Sequence, residues 1–125
     1  VALFLAIVWL STAGPKAVPE DAAEAEMGPA ALQFAASKHF EEVTYAVMGR
    51  CSMCHAEEPA WDGIVTAPKG VLLETEAQIA SHAREIYLQA GRSHAMPPAN
   101  VSYMEPVERE LIVTWYEDGS RGAVQ

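Results

Sequence analysis

Hydrophobic residues recur at helical spacing in three stretches of the chain, and no stretch alternates apolar and polar residues as a half-buried strand would. The first stretch predicts a helix from Ser37 to Arg50. Phe40, Val43 and Val47 recur there at i, i+3 and i+7. Ser37 is the expected N-cap, because a serine hydroxyl can accept a hydrogen bond from the first turn of a helix.

The other two stretches have clear start signals. Thr75 and Gln78 form a T-x-x-Q capping box, and the apolar repeat that follows it is expected to stop at Gly91. The last helix is predicted to begin at Pro106, since proline is favoured at the first helical position, and to end at Gly119. The sequence therefore predicts an all-α protein.

The chain opens with ten apolar residues, VALFLAIVWL, which are too few to span a bilayer and follow no basic region. We expect residues 1–13 to be the end of a transmembrane helix or, alternatively, a signal-peptide core. Residues 14–36 are rich in proline, alanine and acids and are predicted to form a linker. A single domain is expected over 37–119, with a tail over 120–125.

The net charge of the chain indicates which kinds of partner it can bind. The 125 residues carry a formal net charge of −9 at pH 7, which argues against nucleic acid as a ligand. A protein with a basic surface is the expected partner, and complementary charge would act mainly on the rate of encounter.

Residues 51–55 read Cys-Ser-Met-Cys-His, the attachment signature of a c-type haem. Two thiols three residues apart can add to the two vinyl groups of one porphyrin, and the next histidine can then offer an imidazole nitrogen to the iron. Cys51 and Cys54 are the only cysteines in the chain. The motif predicts one haem c, bound covalently through Cys51 and Cys54, with His55 as the proximal axial iron ligand.

Three other uses of these cysteines remain as alternatives. A redox-active dithiol usually opens a helix after a strand, and no strand pattern precedes Cys51. A structural zinc site needs four ligands, and the chain has no second pair with suitable spacing. A plain disulfide would give His55 no role.

The identity of the sixth iron ligand decides between electron transfer and ligand chemistry. Met96 is the expected distal axial ligand, because two prolines follow it and present it from a stiff, extended loop. Met104 is the next methionine, but packing is its expected role. His94 or His82 would give bis-histidine ligation instead. Trp61 and Trp115 are expected to pack against the haem.

The order of helix, C-x-x-C-H, helix, Met-Pro-Pro and terminal helix resembles the class I cytochrome c fold. In that fold the first and last helices cross near one haem edge, and here they would be Phe40–Arg50 and Pro106–Asp118. The sequence departs from many such cytochromes at Val47, where an aromatic residue is common one turn before the first cysteine.

Three segments, RCSMCHAEEPAWDGI, APKGVLLET and HAREIYLQAGRSHAMPP, resemble the C-terminal cytochrome c domain of the bacterial membrane-bound urate hydroxylases. The resemblance covers roughly Tyr45 to Gly119. It implies an inner-membrane protein with this domain on the periplasmic side and a role in purine catabolism. The electron donor would be the membrane-embedded part of the same chain, and the acceptor a redox carrier.

The resemblance also implies that Cys51 and Cys54 carry the haem and that His55 and Met96 are its axial ligands. The domain alone would be an electron carrier without catalytic residues, while the full-length protein would be the oxidoreductase. The alternatives are a free-standing or membrane-anchored monohaem cytochrome c of a respiratory chain, and a haem peroxidase or gas-binding protein with an open sixth position.

Overall fold

A computed structural model of the chain describes residues 1–12 and 27–122, and these residues form six α-helices and no β-strand. The predicted all-α class is confirmed. The helices are α1 (Ala2–Thr12), α2 (Pro29–Ala35), α3 (Phe40–Arg50), α4 (Glu76–Ser81), α5 (Ala83–Ile86) and α6 (Pro106–Gly122). A π-helical turn, Tyr87–Arg92, directly follows α5.

Helix α1 consists of the apolar stretch that opens the chain. The side chains of residues 2–8 are exposed, with Leu3 at 76% and Phe4 at 70%. None of the helices within the described parts of the chain is long and apolar enough to cross a membrane. The membrane or signal-peptide role expected for residues 1–13 stays a prediction.

Helix α2 corrects the predicted linker. Residues 27–36 were expected to belong to it, but Pro29 begins a helix and Phe34 is buried in the core. The Phe34 ring stacks on Tyr116 and meets Trp115 edge-on, and the Trp115 indole N–H donates to the Phe34 carbonyl at 2.9 Å. Proline is found in linkers and also at helix starts, so composition alone misassigned this segment. Residues 14–26 of the expected linker lie outside the described residues.

Helix α3 begins later than predicted. Its N-cap is His39, and the Ser37 hydroxyl instead accepts a hydrogen bond from the His39 N–H at 3.3 Å in the preceding turn. The predicted apolar face is present, since Val43 and Val47 are fully buried. The helix ends at Arg50, so Cys51 is its C-cap.

The helix predicted between Thr75 and Gly91 begins where it was expected but does not end at Gly91. Thr75 and Gln78 form both hydrogen bonds of the capping box. The helix is then interrupted at His82, and its continuation ends in the π-helical turn beyond Gly91. Gly91 is needed for close packing, because a Cβ there would lie 3.0 Å from Cγ2 of Val113 on α6.

Helix α6 begins at Pro106 as predicted and runs through Gly119 to Gly122. Gly119 is also a point of close approach: an added Cβ would lie 2.5 Å from Cδ1 of Phe34. The buried face of α6 consists of Arg109, Ile112, Trp115 and Gly119. This face contacts α2, α3 and the π-helical turn, and so places α6 at the centre of the packed domain.

Candidate haem site

The attachment turn, residues 51–55, follows α3 without a break. The Cys51 N–H donates to the Val47 carbonyl at 2.8 Å and so continues the helical pattern. The Cys51 carbonyl then accepts from the N–H groups of Cys54, at 3.1 Å, and His55, at 2.9 Å. The two thiols and the imidazole therefore sit on one hydrogen-bonded turn. Both cysteines are free, and all five residues are partly exposed.

The His55 imidazole is oriented by a backbone hydrogen bond. Its Nδ1 lies 2.9 Å from the carbonyl oxygen of Val71. Because a carbonyl can only accept, Nδ1 carries the proton and Nε2 keeps a free lone pair. The Leu73 N–H donates to the His55 carbonyl at 2.8 Å, which holds residues 71–73 alongside the turn. This is the outer-shell arrangement that metal-ligating histidines usually have.

The Cys51 thiol is not activated as a nucleophile. Burial raises its pKa to about 12, the neighbouring Cys54 adds to the rise, and the positive charge of Arg109 opposes it. Redox-active dithiols have pKa values lowered towards neutrality, because the thiolate is the reacting species. The shift at Cys51 is opposite in direction to the one that activates such dithiols.

A structural zinc site also finds no support. Across residues 1–12 and 27–122, no three His, Cys, Asp or Glu side chains are grouped so that they could hold a metal ion. A haem iron held by His55 and Met96 would need only one His, Cys, Asp or Glu ligand, namely His55.

Met96 lies in a loop over residues 93–104, here called the Met96 loop. Its side chain is partly buried. Its N–H donates to the Gln89 carbonyl at 3.0 Å, and its carbonyl accepts from Nη1 of Arg109 at 2.9 Å. The backbone of Met96 is thus fixed on both sides, by the π-helical turn and by α6.

The rival ligands occupy different surroundings. Met104 is 2% exposed and belongs to the hydrophobic core. Its N–H donates to Oδ1 of Asn100 at 2.9 Å, and its carbonyl accepts from Nδ2 of the same side chain at 3.1 Å. His94 is exposed, and His82 lies between α4 and α5. Met104 packs in the core, and the choice between Met96 and Met104 as the iron ligand stays a prediction.

The two tryptophans differ in exposure. Trp61 is 39% exposed, and its N–H donates to the Met53 carbonyl at 3.0 Å, which brings its backbone against the attachment turn. Trp115 is fully buried and stacks on Phe40 with ring centroids 6.0 Å apart. Haem packing by either residue stays a prediction.

Sequence reasoning missed two consecutive residues of α6, one bonded to the end of α3 and the other to Met96. Glu108 accepts from Nε of Arg50, next to Cys51, with both carboxylate oxygens at 3.1 Å. Arg109 donates to the Met96 carbonyl at 2.9 Å. The spacing of α6 could have indicated that Arg109 is buried, because it stands three residues before Ile112 on the buried face of the helix.

No protein-family model, curated protein or solved structure matches the chain.

Proposed function

We propose that the chain is a monohaem c-type cytochrome domain that transfers electrons. The observation that carries the proposal is the hydrogen bond from Nδ1 of His55 to the Val71 carbonyl. It leaves Nε2 free as a metal ligand on the same turn as two free thiols, Cys51 and Cys54. A turn with two thiols and an oriented imidazole is what covalent haem attachment requires.

Each residue then has one role. Cys51 and Cys54 would hold the haem covalently, each S–H adding across one vinyl double bond so that sulfur bonds to one vinyl carbon and the hydrogen goes to the other. His55 would hold the iron through Nε2, and Met96 would hold it through its sulfur. The haem would supply an iron that cycles between the ferrous and ferric states. A filled sixth position favours electron transfer over ligand chemistry.

The arrangement of helices supports a class I cytochrome c fold. Helices α3 and α6, the first and last of that pattern, pack against each other. The Arg50 and Glu108 pair joins them one residue before Cys51. Val47, in place of the common aromatic residue, is fully buried.

The cofactor is tested by expression in a host with working cytochrome c maturation. We expect a pyridine haemochrome spectrum of c type, with one haem that resists extraction by acidified acetone. A folded but haem-free product from that host contradicts the proposal. Rapid, tight binding of carbon monoxide to the reduced domain would instead indicate a gas-binding protein or peroxidase.

We further propose that the domain accepts electrons inside a membrane-bound urate hydroxylase. Support comes from the segments around the attachment turn and Met96 that resemble such domains, and from the apolar α1. The net charge of −9 suits a carrier with a basic surface as the acceptor. Adding urate to anaerobic membranes that contain the full-length protein should reduce the haem. A haem that stays oxidised would leave a cytochrome c of a respiratory chain as the function.

A further inference from the structure

Arg109 is a charged residue buried in the domain, and no carboxylate of residues 1–12 or 27–122 forms an ion pair with it. Its side chain is on the buried face of α6, and the residue is 8% exposed. The ion pairs formed within the described parts of the chain join other residues: His39 with Asp118, Arg50 with Glu108, and Arg121 with Asp118. A charge in such a position is costly unless its hydrogen bonds are satisfied.

The guanidinium of Arg109 satisfies its hydrogen bonds with three neutral oxygens. Nη1 donates to the carbonyls of Ala90, at 2.6 Å, and Met96, at 2.9 Å. Nη2 donates to Oδ1 of Asn100 at 3.2 Å. These acceptors come from the end of the π-helical turn and from two places in the Met96 loop. One planar side chain therefore ties two backbone carbonyls and one side-chain amide to α6, which a lysine ammonium would do less well.

The Met96 loop needs such a restraint because its backbone is strained. Within the described residues, five non-glycine residues have positive φ, and four of them lie in this loop: His94, Ala99, Asn100 and Tyr103. Left-handed backbone is unfavourable for residues with a Cβ, so the bonds that hold the loop must compensate for it.

We propose that Arg109 is the positioning residue for the distal ligand, and that its hydrogen bond to the Met96 carbonyl keeps the methionine sulfur on the iron. This inference rests on the proposed haem function. The buried positive charge has a second consequence, because ferric haem carries one more positive charge than ferrous haem. Arg109 should therefore also raise the reduction potential.

The test uses imidazole as a competitor for the distal position in the ferric, haem-loaded domain. We expect Arg109→Gln to bind imidazole about ten- to a hundredfold more tightly than the wild type, as the loss of a charged hydrogen bond implies. Its methionine-to-iron charge-transfer band should weaken and its reduction potential should fall. Arg109→Lys keeps the charge without the planar fork, so its potential should stay closer to that of the wild type while imidazole binding still tightens.

Arg50→Gln is the matched control. Arg50 also binds a loop carbonyl, that of Ser102 at 3.0 Å, whereas the hydrogen bonds of the Met96 backbone go to Gln89 and Arg109. This variant should keep the charge-transfer band and bind imidazole as the wild type does. If Arg109 contributed only to stability, Arg109→Gln and Arg50→Gln should have the same imidazole affinity and the same charge-transfer band.

The outcomes separate this inference from the proposed function. If both glutamine variants bind imidazole like the wild type, the Arg109 inference is wrong and the cytochrome function stands. If Arg109→Gln does not fold, Arg109→Lys decides, and unchanged imidazole affinity in that variant overturns the inference. A wild-type domain with haem but no methionine charge-transfer band removes Met96 as ligand and the inference with it. A wild-type domain without haem removes the proposed function itself.

Discussion

The attachment turn and the Met96 loop, which would lie on opposite faces of the haem, are held in different ways. The turn is an extension of α3, and the hydrogen bonds among Val47, Cys51, Cys54 and His55 join residues at most four positions apart. Residues 71–73 then hold the ring and the carbonyl of His55 from outside the turn. The bonds to Met96 come from outside its loop, from Gln89 and Arg109. The backbone path of the turn is therefore set by local bonds, whereas the position of Met96 is set by contacts with other elements.

This difference predicts which half is the more easily disturbed. A turn that caps a packed helix keeps its geometry as long as the helix is folded, whereas the loop combines a strained backbone with a few specific bonds. We expect the distal methionine to be the ligand that is lost first under mild denaturation. The proximal histidine and the thioethers should remain until the domain unfolds.

The largest effect should come from the thiols themselves. Replacing both cysteines, Cys51→Ala with Cys54→Ala, should abolish covalent attachment completely, because the chain has no other thiol. Cys54→Ala alone should leave one thioether. Mass spectrometry after extraction with acidified acetone measures the result, and haem retained by the double variant would contradict the assignment.

The two methionines should then separate ligation from packing. Met96→Ala should abolish the charge-transfer band and lower the reduction potential, because the Met/His pair raises it. Met104→Ala should keep the band but lower the free energy of unfolding by about 2–5 kcal/mol, the usual cost of truncating a buried methionine. Visible spectra and denaturant titration of both variants are the measurements. The reverse pattern would move the ligand to Met104, and a wild type without the band would favour His94 or His82.

The ion pair between α3 and α6 should have a smaller effect. The pair Arg50 and Glu108 is partly exposed, with side chains at 29% and 20%, so solvent screening reduces its strength. A double-mutant cycle with Arg50→Gln and Glu108→Gln should give a coupling free energy of about 1 kcal/mol that falls as salt is added. A coupling free energy near zero at low salt would mean that packing alone holds α3 against α6, without a contribution from this ion pair.

The same division explains what the sequence could predict. The attachment turn, the Thr75 capping box and the Pro106 helix start were predicted correctly in position, because each signal lies within a few adjacent residues. Gly91 and Gly119 were expected to end helices, but each is the point where a helix meets another element closely. A glycine looks the same in both roles, and only the tertiary contact distinguishes them.

Helix α2 and Arg109 escaped prediction for the same physical reason. The start of α2 at Pro29 resembles a linker until Phe34 is seen between Trp115 and Tyr116. Glu105 stands four residues before Arg109, the spacing of an exposed helical ion pair, yet the acceptors of Arg109 are main-chain oxygens and an amide. Backbone carbonyls leave no trace in a sequence, so the contact that fixes the distal half could only come from the structure.

The smallest expected effect tests whether strain really distinguishes the two halves. Ala99 has φ 49°, a left-handed conformation that costs a residue with a Cβ roughly 1–2 kcal/mol. Ala99→Gly removes that cost but adds flexibility to the unfolded chain, so we expect a net gain in the free energy of unfolding of about 0.5 kcal/mol. Ala46→Gly, inside α3 with ordinary helical geometry, should have the opposite sign and cost about 1 kcal/mol. Denaturant titration of the haem-loaded variants measures both changes. Equal losses in the two variants would mean that the Met96 loop is not strained at Ala99, and that the contrast between the halves lies in their hydrogen bonds alone.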